Sequence, residues 1–496
     1  MSRHLGRRLL LAALLLALTG VAAACGGAAP DNGAPAPQAP LRPPRSVLFH
    51  RGHHVRRAHA RGPVRLVVTV IDGDRWRRVP GARVHLWHRK ARTDRHGVAE
   101  IRVPRRKPVY VTLAARGFGT RTLRVTFAKS RRVTLRLYRR DLQWPLYGAT
   151  ASRTQAQTHI RLRPPFRTVW ARNLHGLIEF PAAVDSGVAY IGNARATVRA
   201  IKTATGTVLW RHDTPHGKMA SSPAVVGRRI VYHSMEGHVF VLDRASGRLR
   251  WSYWAGAPIE SSPIVRDGVD YFGTWNGRVY ALDLRRHRLR WSRYLGAKIT
   301  SSAALAGRTL FIGDYGGRIW ALSARSGATR WVRSVNGRIY GTPAVAAGRV
   351  FVPSSDGNSL SAFSTGGRYL WRIYTGSYVY SSPATWGGRV FFGAYNGVFY
   401  AASAARGRIL WRVYTGGPIS GAAVVVDGVA YAGSFAHRIV GVNARSGRVL
   451  IRFRHGEYVP VSGNGMELLF HGYTTLYAMR PAPRHRLHRH PRRHRR

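Results

Sequence analysis

The chain is poor in cysteine and in acidic residues, and both shortages limit its chemistry. Cys25 is the one cysteine in 496 residues, so no internal disulfide can form. Only 20 Asp and Glu accompany 80 Lys and Arg, which gives a formal net charge of +60. Scarce carboxylates argue against paired-carboxylate catalysis, whereas the cation excess favours binding to polyanions. A general bias toward Arg, Ala and Gly explains the same excess, and we prefer that interpretation.

Residues 1–25 have the pattern of a lipoprotein-type signal peptide. Basic residues precede an apolar run from Leu9 to Leu18, which is too short to span a membrane comfortably. Val21 to Cys25 resembles a lipobox, in which the cysteine becomes diacylated. We therefore expect an exported lipoprotein anchored through Cys25 on the outer face of the cell membrane. Simple signal cleavage and an uncleaved anchor are the alternatives.

Basic, low-complexity segments flank the part of the chain that is expected to fold. Residues 26–63 are rich in Pro and Ala and then in Arg and His, which predicts an extended tether. Its histidines lack Cys or carboxylate partners, so we expect no metal site at His50, His53, His54 and His59. Residues 481–496 form a basic tail that we expect to be disordered and attracted to phosphate or anionic lipid. Nucleic-acid binding is not expected, because no recognition module accompanies the tail.

Residues 64–138 alternate apolar and polar side chains in short runs that are separated by turn signals such as Asp72-Gly73. This pattern predicts a small β-sandwich. The segments Thr93 to Ala99 and Tyr110 to Phe118 resemble the carboxypeptidase-regulatory, transthyretin-like module. The resemblance implies an accessory or spacer domain rather than a chemical activity.

A tryptophan returns every 40 or 41 residues through segment 166–480. The series consists of Trp170, Trp210, Trp251, Trp291, Trp331, Trp371 and Trp411. Ile451 occupies the next position. Each interval repeats an S-S-P-like run, a V-Y-x-G run, an N-G or D-G pair and a V-Y-A-L-D run. A period near forty residues with four short strands per unit is typical of a β-propeller.

Counting the repeats predicts how the ring closes. Seven complete units end at Trp210 through Ile451, and an eighth, from Tyr458 to Met479, lacks a tryptophan strand. The strand Arg167–Asn173 is left over at the front, after a connector at residues 139–165. We therefore predict an all-β protein with eight four-stranded blades closed by Arg167–Asn173, because closure leaves no exposed strand edge. The repeated tryptophans are expected to pack between blades.

The repeats resemble the quinoprotein-type propeller family, and Trp144 to Gly148 resembles the lead-in found before many such propellers. Enzymes of this family hold pyrroloquinoline quinone and calcium, often with a vicinal disulfide, which one cysteine cannot form. The acids near the predicted axis, Glu179 and Glu260, lie on different blades without companion ligands. The resemblance is greater to the non-enzymatic lipoprotein propeller of outer-membrane assembly. We expect a binding or scaffolding protein without quinone or calcium; the rival is a divergent quinone-dependent dehydrogenase.

The loops that lead into the innermost strands predict a binding surface at the mouth of the central channel. The candidates are Lys218, Glu260, Lys298, Arg338, Tyr340, Tyr378 and Tyr380. Three cations beside tyrosines are suited to an anionic or sugar-bearing ligand. Ordinary solvated loop residues in an arginine-rich chain are the simpler explanation. The expected partners of a monomer are envelope proteins or anionic cell-wall polymer.

Overall fold

The computed structural model describes residues 64–103, 109–125, 131–214 and 217–483, and these residues confirm the all-β fold class. Their regular elements are strands apart from one 3-10 turn, Arg140–Leu142. None of the described segments forms a helix with the length and apolar character needed to cross a bilayer. The predicted signal peptide with Cys25, the tether and most of the basic tail lie outside the described residues.

The first seven strands form two sheets that enclose one apolar core. The strands are β1 (Val64–Asp72), β2 (Arg83–Leu86), β3 (Arg89–Arg92), β4 (Val98–Val103), β5 (Val109–Ala114), β6 (Arg121–Val125) and β7 (Arg132–Leu137). One sheet has the order β4-β1-β7 and the other β3-β2-β5-β6. Leu66, Val84 and Val111 are fully buried between them. The sequence pattern missed β3 and β6, because their arginines hide the apolar alternation.

Arg139 ties this sandwich to the next part of the chain. Its Nε donates a hydrogen bond to Asp72 Oδ2 at 2.9 Å, and its backbone N–H donates to Asp74 Oδ2 at 2.7 Å. The Tyr138 ring packs against Gly73 of the sandwich and Gly187 of the first propeller sheet. The charge pair holds the connector to the sandwich, and the Tyr138 ring packs between the sandwich and the propeller.

Eight repeat sheets follow within the described residues, and we number these blades 1 to 8 along the chain. Each strand pairs with the next, from the channel outward. Blade 1 contains β10 (Ala183–Asp185), β11 (Val188–Gly192), β12 (Thr197–Lys202) and β13 (Val208–Asp213); blade 2 contains β14 (Ala224–Val226), β15 (Arg229–His233), β16 (His238–Asp243) and β17 (Leu249–Trp254); blade 3 contains β18 (Ile264–Arg266), β19 (Val269–Gly273), β20 (Arg278–Asp283) and β21 (Arg288–Tyr294); blade 4 contains β22 (Ala304–Ala306), β23 (Thr309–Gly313), β24 (Arg318–Ser323) and β25 (Thr329–Ser334).

The remaining blades repeat this order, and the last one takes its outer strand from the front of the array. Blade 5 contains β26 (Ala344–Ala346), β27 (Arg349–Ser354), β28 (Ser359–Ser364) and β29 (Tyr369–Tyr374); blade 6 contains β30 (Ala384–Trp386), β31 (Arg389–Gly393), β32 (Val398–Ser403) and β33 (Ile409–Tyr414); blade 7 contains β34 (Val424–Val426), β35 (Val429–Ser434), β36 (Arg438–Asn443) and β37 (Val449–Arg454); blade 8 contains β38 (Gly456–Gly463), β39 (Leu468–Gly472), β40 (Thr475–Pro481) and β9 (Phe166–Asn173). Because β9 pairs with β40, and β10 contacts β38, the array returns to its start.

From the sequence, the S-S-P-like runs are expected to form the innermost strands, but in the structure they lie just before those strands. The first serine of a run, such as Ser261, bonds through Oγ to the second strand of its own blade, at Gly273 O. The second residue links blades instead, because its hydroxyl accepts a hydrogen bond from the backbone of the preceding blade. These links are Ser222 N to Ser262 Oγ, Ser262 N to Ser302 Oγ, Ser302 N to Thr342 Oγ1 and Thr342 N to Ser382 Oγ. A hydroxyl at this position therefore serves as an inter-blade hydrogen-bond acceptor.

The repeated tryptophans join seven of the eight blades to the following one; blade 7 carries Ile451 at this position. Trp371 of blade 5 donates its indole N–H to Ala404 O of blade 6 at 3.2 Å and packs on Gly407 in the same turn. Trp170 of blade 8 makes the same contacts with Thr203 O and Gly206 of blade 1. Equivalent indole hydrogen bonds are made by Trp210, Trp291, Trp331 and Trp411.

Blade 3 has a histidine where this turn glycine is expected, and the contact changes accordingly. Trp251 stacks on His287, with ring centroids 4.8 Å apart and planes 13° from parallel. The glycine is therefore the usual partner of the indole but not an obligatory one.

Residues 144–157, which we call the plug, run across the channel along the innermost strands. Backbone hydrogen bonds join the plug to blades 1, 2, 4, 5, 6 and 7; the acceptors or donors on the blades are Val184, Val225, Leu305, Val345, Thr385 and Val425. Arg153 reaches blade 3, donating to Ser262 O and Pro263 O. Burial lowers the pKa of Arg153 to about 10. The connector predicted from the sequence is thus a structural part that pairs the inner strand edges and obstructs the channel.

Substituting Gly407 with Ala tests the indole–glycine contact. Gly407 has φ +72°, and a Cβ there would lie 2.7 Å from the Trp371 ring. Gly388 has φ +73° with open space around a Cβ, which makes Gly388→Ala the matched control. Both variants carry about 1–2 kcal/mol of left-handed backbone strain. We expect Gly407→Ala to lose about 1–3 kcal/mol more through overpacking. Equal losses in thermal unfolding would show that the contact contributes nothing measurable.

Candidate functional site

Two loops from each blade build the mouth of the channel. One leads into the innermost strand and the other connects the second and third strands. In blade 4, for example, Tyr315 N donates a hydrogen bond to Lys298 O at 2.8 Å. The equivalent backbone hydrogen bond joins Met235 to Lys218, Trp275 to Pro258, Ser355 to Arg338, Tyr395 to Tyr378 and Phe435 to Pro418. The sequence-predicted positions therefore acquire neighbours from a second loop, several of which are aromatic.

Glu260 and Lys298 are held by the same indole. Trp275 Nε1 donates to Glu260 Oε2 at 3.0 Å, and Tyr340 Oη donates to Glu260 Oε1 at 2.7 Å. Lys298 Nζ lies 3.3 Å from the centroid of the Trp275 ring, a cation–π contact. Burial raises the pKa of Glu260 and lowers that of Lys298. The structure thus brings three of the predicted candidates, Glu260, Lys298 and Tyr340, into one cluster.

Arg338 and Lys218 are not part of this cluster, and the three predicted cations do not converge on one point. Arg338 Nε pairs with Asp356 Oδ2 at 2.9 Å, which raises the pKa of the arginine. Lys218 lies in a loop whose backbone N–H bonds Glu236, and its charge acts on the carboxylates of Glu179 and Glu260. Lys298 and Arg338 already have internal partners, which weakens the hypothesis of an anion pocket at the mouth.

Six rings from blades 5 to 8 form what we call the aromatic crescent: Tyr340, Tyr378, Tyr380, Tyr395, Phe435 and Tyr458. Successive rings touch, with Tyr340–Tyr380 centroids 5.5 Å apart, Tyr380–Tyr395 5.1 Å and Phe435–Tyr458 5.5 Å. Tyr378 is 46% exposed. Sequence reasoning missed Tyr395 and Phe435, although an aromatic residue recurs at this spacing in Trp275 and Tyr315. The other five rings are partly buried. A partly exposed arc of aromatic rings presents apolar faces and tyrosine hydroxyls to a ligand or partner.

Below the mouth lies a cavity of about 60 Å³, bounded by the plug on one side. Tyr147 of the plug lines it and donates a hydrogen bond to Ser382 Oγ at 3.0 Å. Tyr340, Tyr380 and Tyr458 also line it. Typical cofactor sites occupy about 300–1,000 Å³. The space therefore accommodates a few water molecules or one small polar group.

Both charged residues that line the cavity, Glu179 and Glu260, are acids. Sequence reasoning placed them on separate blades without companions, but the structure brings them to one cavity. Burial, followed by the charge of Glu260, raises the pKa of Glu179 to about 7. No group of three or more His, Cys, Asp or Glu within the described segments is placed to hold a metal. Two carboxylates in a cavity of about 60 Å³ do not fit pyrroloquinoline quinone, which is itself a polycarboxylate and too large for this space.

A second concave surface lies at Asp427, Trp386 and the segment that precedes β9. It encloses about 480 Å³ and is lined by Thr158, Arg161, Arg163, Trp386, Asp427, Gly428 and Arg445, which we call the arginine pocket. Arg161 and Arg163 each lie 3.7 Å from a carboxylate oxygen of Asp427. Two guanidinium groups therefore flank one carboxylate, and Arg445 and the Trp386 indole line the same surface. No repeat signal marks this site, because two of its arginines precede the repeats.

The raised pKa of Glu179 predicts how stability changes with pH. The folded state binds a proton more tightly than the unfolded chain, so stability should fall as pH rises from about 4.5 toward 7 and then level off. Glu179→Gln removes this titration. We expect the melting temperature of the native chain to decrease relative to that variant between pH 5 and 8. Parallel pH profiles of the two proteins would contradict the assignment.

Comparison with known proteins places the repeats in a family. The family model described as outer membrane protein assembly factor BamB matches residues 164–303, 275–379 and 355–452. Together the matches span more than half of the chain. A search of curated proteins finds no match.

Solved structures share the fold at low sequence identity. BamB from Moraxella catarrhalis has a TM-score of 0.56 and 18% identity, covering 64% of this chain and 99% of that one. Quinohemoprotein alcohol dehydrogenase from Comamonas testosteroni has a TM-score of 0.61 and 13% identity, covering 70% and 82%. The computationally designed protein Ika8 has a TM-score of 0.56 and 15% identity, covering 62% and 98%. The likeness to these structures concerns the fold alone. The matches to the family model, which span more than half of the chain, show the family. The chain belongs to the family of the outer membrane protein assembly factor BamB.

Proposed function

We propose that this protein is a non-catalytic, exported binding or scaffolding propeller of the bacterial cell envelope, anchored through a lipid on Cys25. The observation that carries the proposal is the asymmetry of the channel: residues 144–157 obstruct it, and the aromatic crescent, in which Tyr378 is 46% exposed, lines one side of its mouth. The family description, an assembly factor, supports envelope proteins as partners.

The mouth is suited to docking a protein rather than to converting a substrate. Aromatic residues are enriched at protein interfaces, where one ring provides apolar area and a polar group. The neighbouring cavity is about 60 Å³, and its two acids disfavour an anionic cofactor. We therefore propose that the protein works without quinone or calcium. Quinone-dependent oxidation, the activity class of the dehydrogenases with the same fold, is the alternative that this geometry supports less.

The arginine pocket supports a second candidate function, binding of anionic cell-wall polymer. Arg161, Arg163 and Arg445 outnumber Asp427, and guanidinium groups bind phosphate or carboxylate in bidentate fashion. The pocket is separate from the channel mouth, so both functions are compatible with one molecule.

Photo-cross-linking from the mouth tests the docking proposal. A photo-reactive residue replaces Tyr378, which is 46% exposed, in the full chain expressed in cells. The matched control replaces Tyr369, which is 53% exposed at the start of β29 in the outer part of blade 5. We expect a discrete protein adduct from position 378 and none from position 369. Equal adducts at both positions, or none at either, would contradict docking at the mouth.

Sedimentation with purified cell-wall polymer tests the second candidate. We expect the double charge reversal Arg163→Glu and Arg445→Glu to reduce the bound fraction several-fold. Reversal of Lys298 and Arg338 should have less effect, because both lie at the channel mouth and do not line the arginine pocket. Arg325→Glu, in the corresponding turn of blade 4, is the control for a general loss of charge. A loss confined to the Lys298 and Arg338 variant would return the polymer site to the mouth.

A further inference from the structure

The charge of the channel cavity is opposite to that of the protein. Only one charged residue in five is acidic in this chain, which carries a formal +60. Yet both charged residues that line the cavity, Glu179 and Glu260, are acids. An arginine-rich composition does not explain this inversion, so the cavity has a chemical preference of its own.

The two acids differ in the hydrogen bonds that their carboxylates accept. Both oxygens of Glu260 accept hydrogen bonds, from Tyr340 Oη and Trp275 Nε1. Within the described residues, no group donates a hydrogen bond to Glu179, on which only the charges of Glu260 and Lys218 act. Glu179 is partly buried, and a carboxylate with reduced access to water and no hydrogen-bond donor is less favourable than one that is paired. Glu179 is therefore the member of the pair that a ligand would satisfy.

Aromatic side chains surround this carboxylate. Tyr340, Tyr380 and Tyr458 line the same cavity, and the Tyr340 and Tyr380 rings touch edge to face. Ring faces attract cations, and carboxylates pair with them, so the combination is typical of sites for organic cations. The cavity of about 60 Å³ has room for one ammonium or guanidinium group, but not for a larger ligand. Among the described residues, no group of three or more His, Cys, Asp or Glu is placed to hold a metal ion here.

We infer that the channel cavity binds the cationic side chain of a partner protein, a lysine or arginine, with Glu179 as its ion-pair partner. The inference rests on the proposed function, because it specifies which chemistry the docked partner presents. The crescent contacts the partner surface, and the cationic side chain enters the cavity between Glu179 and the tyrosine rings. Binding stabilises the ionised form of Glu179, so the affinity depends on the protonation of that carboxyl group.

Calorimetric titration of the full chain with the peptide acetyl-Gly-Lys-Gly amide tests this site. The norleucine analogue, which lacks the ammonium group, is the ligand control. We expect binding of the lysine peptide only, about tenfold tighter at pH 8 than at pH 6, because a carboxyl group with a pKa of about 7 ionises across that range. Glu179→Gln should weaken binding about tenfold or more and abolish the pH dependence.

Glu457→Gln is the matched protein control, because Glu457 is a buried acid with a raised pKa that does not line the cavity. It should bind the peptide like the native chain. Equal binding of the norleucine analogue, an unchanged affinity in Glu179→Gln, or displacement of the peptide by micromolar calcium would each overturn the inference. The pH dependence of the native chain provides a test that needs no variant. If the adduct from position 378 persists while the peptide fails to bind, docking at the mouth stands and the cation site does not.

Discussion

The contact between an indole in one blade and a turn glycine in the next is the interaction on which this structure depends. A propeller sheet buries its faces only against neighbouring sheets, so each blade needs a specific contact with the following one. Trp371 on Gly407 shows the usual geometry, in which a positive φ and the absence of a side chain let the turn approach the ring. Trp170 makes the same contact from blade 8 to blade 1. The interaction that joins successive blades therefore also joins the last blade to the first.

Closing the ring creates a channel, and the innermost strands face it with unpaired backbone groups. Residues 144–157 pair several of these edges and bring Arg153 and Tyr147 to the axis. The channel is therefore obstructed at one end by the plug and open at the other end, the mouth. The linker between the two folded parts thereby determines the depth of the cavity and provides one of its walls.

The same fold occurs in an assembly factor and in dehydrogenases, so the residues that fill the channel distinguish this protein. Tyr147, Tyr340 and Tyr380 reduce the space, and Glu179 and Glu260 give it negative character within a strongly positive chain. The outer surface and the channel consequently attract ligands of opposite sign. This separation suits a protein that contacts a polyanionic envelope and a protein partner at different surfaces.

The sequence alone determined the fold class, because the Trp spacing of 40 or 41 residues and the turn glycines are local, repeated signals. The position of the leftover strand, predicted as Arg167–Asn173 and found as Phe166–Asn173, also follows from the repeat count, since counting units requires no coordinates. The shortened inner strands, the strands β3 and β6 and the plug were not predictable, because arginine-rich strands and irregular backbone lack periodicity. Only the tertiary structure brought Glu179 beside Glu260, engaged Lys298 with Trp275 and assembled the crescent. Those contacts join side chains from different blades, and their distances depend on ring curvature, which no single repeat encodes.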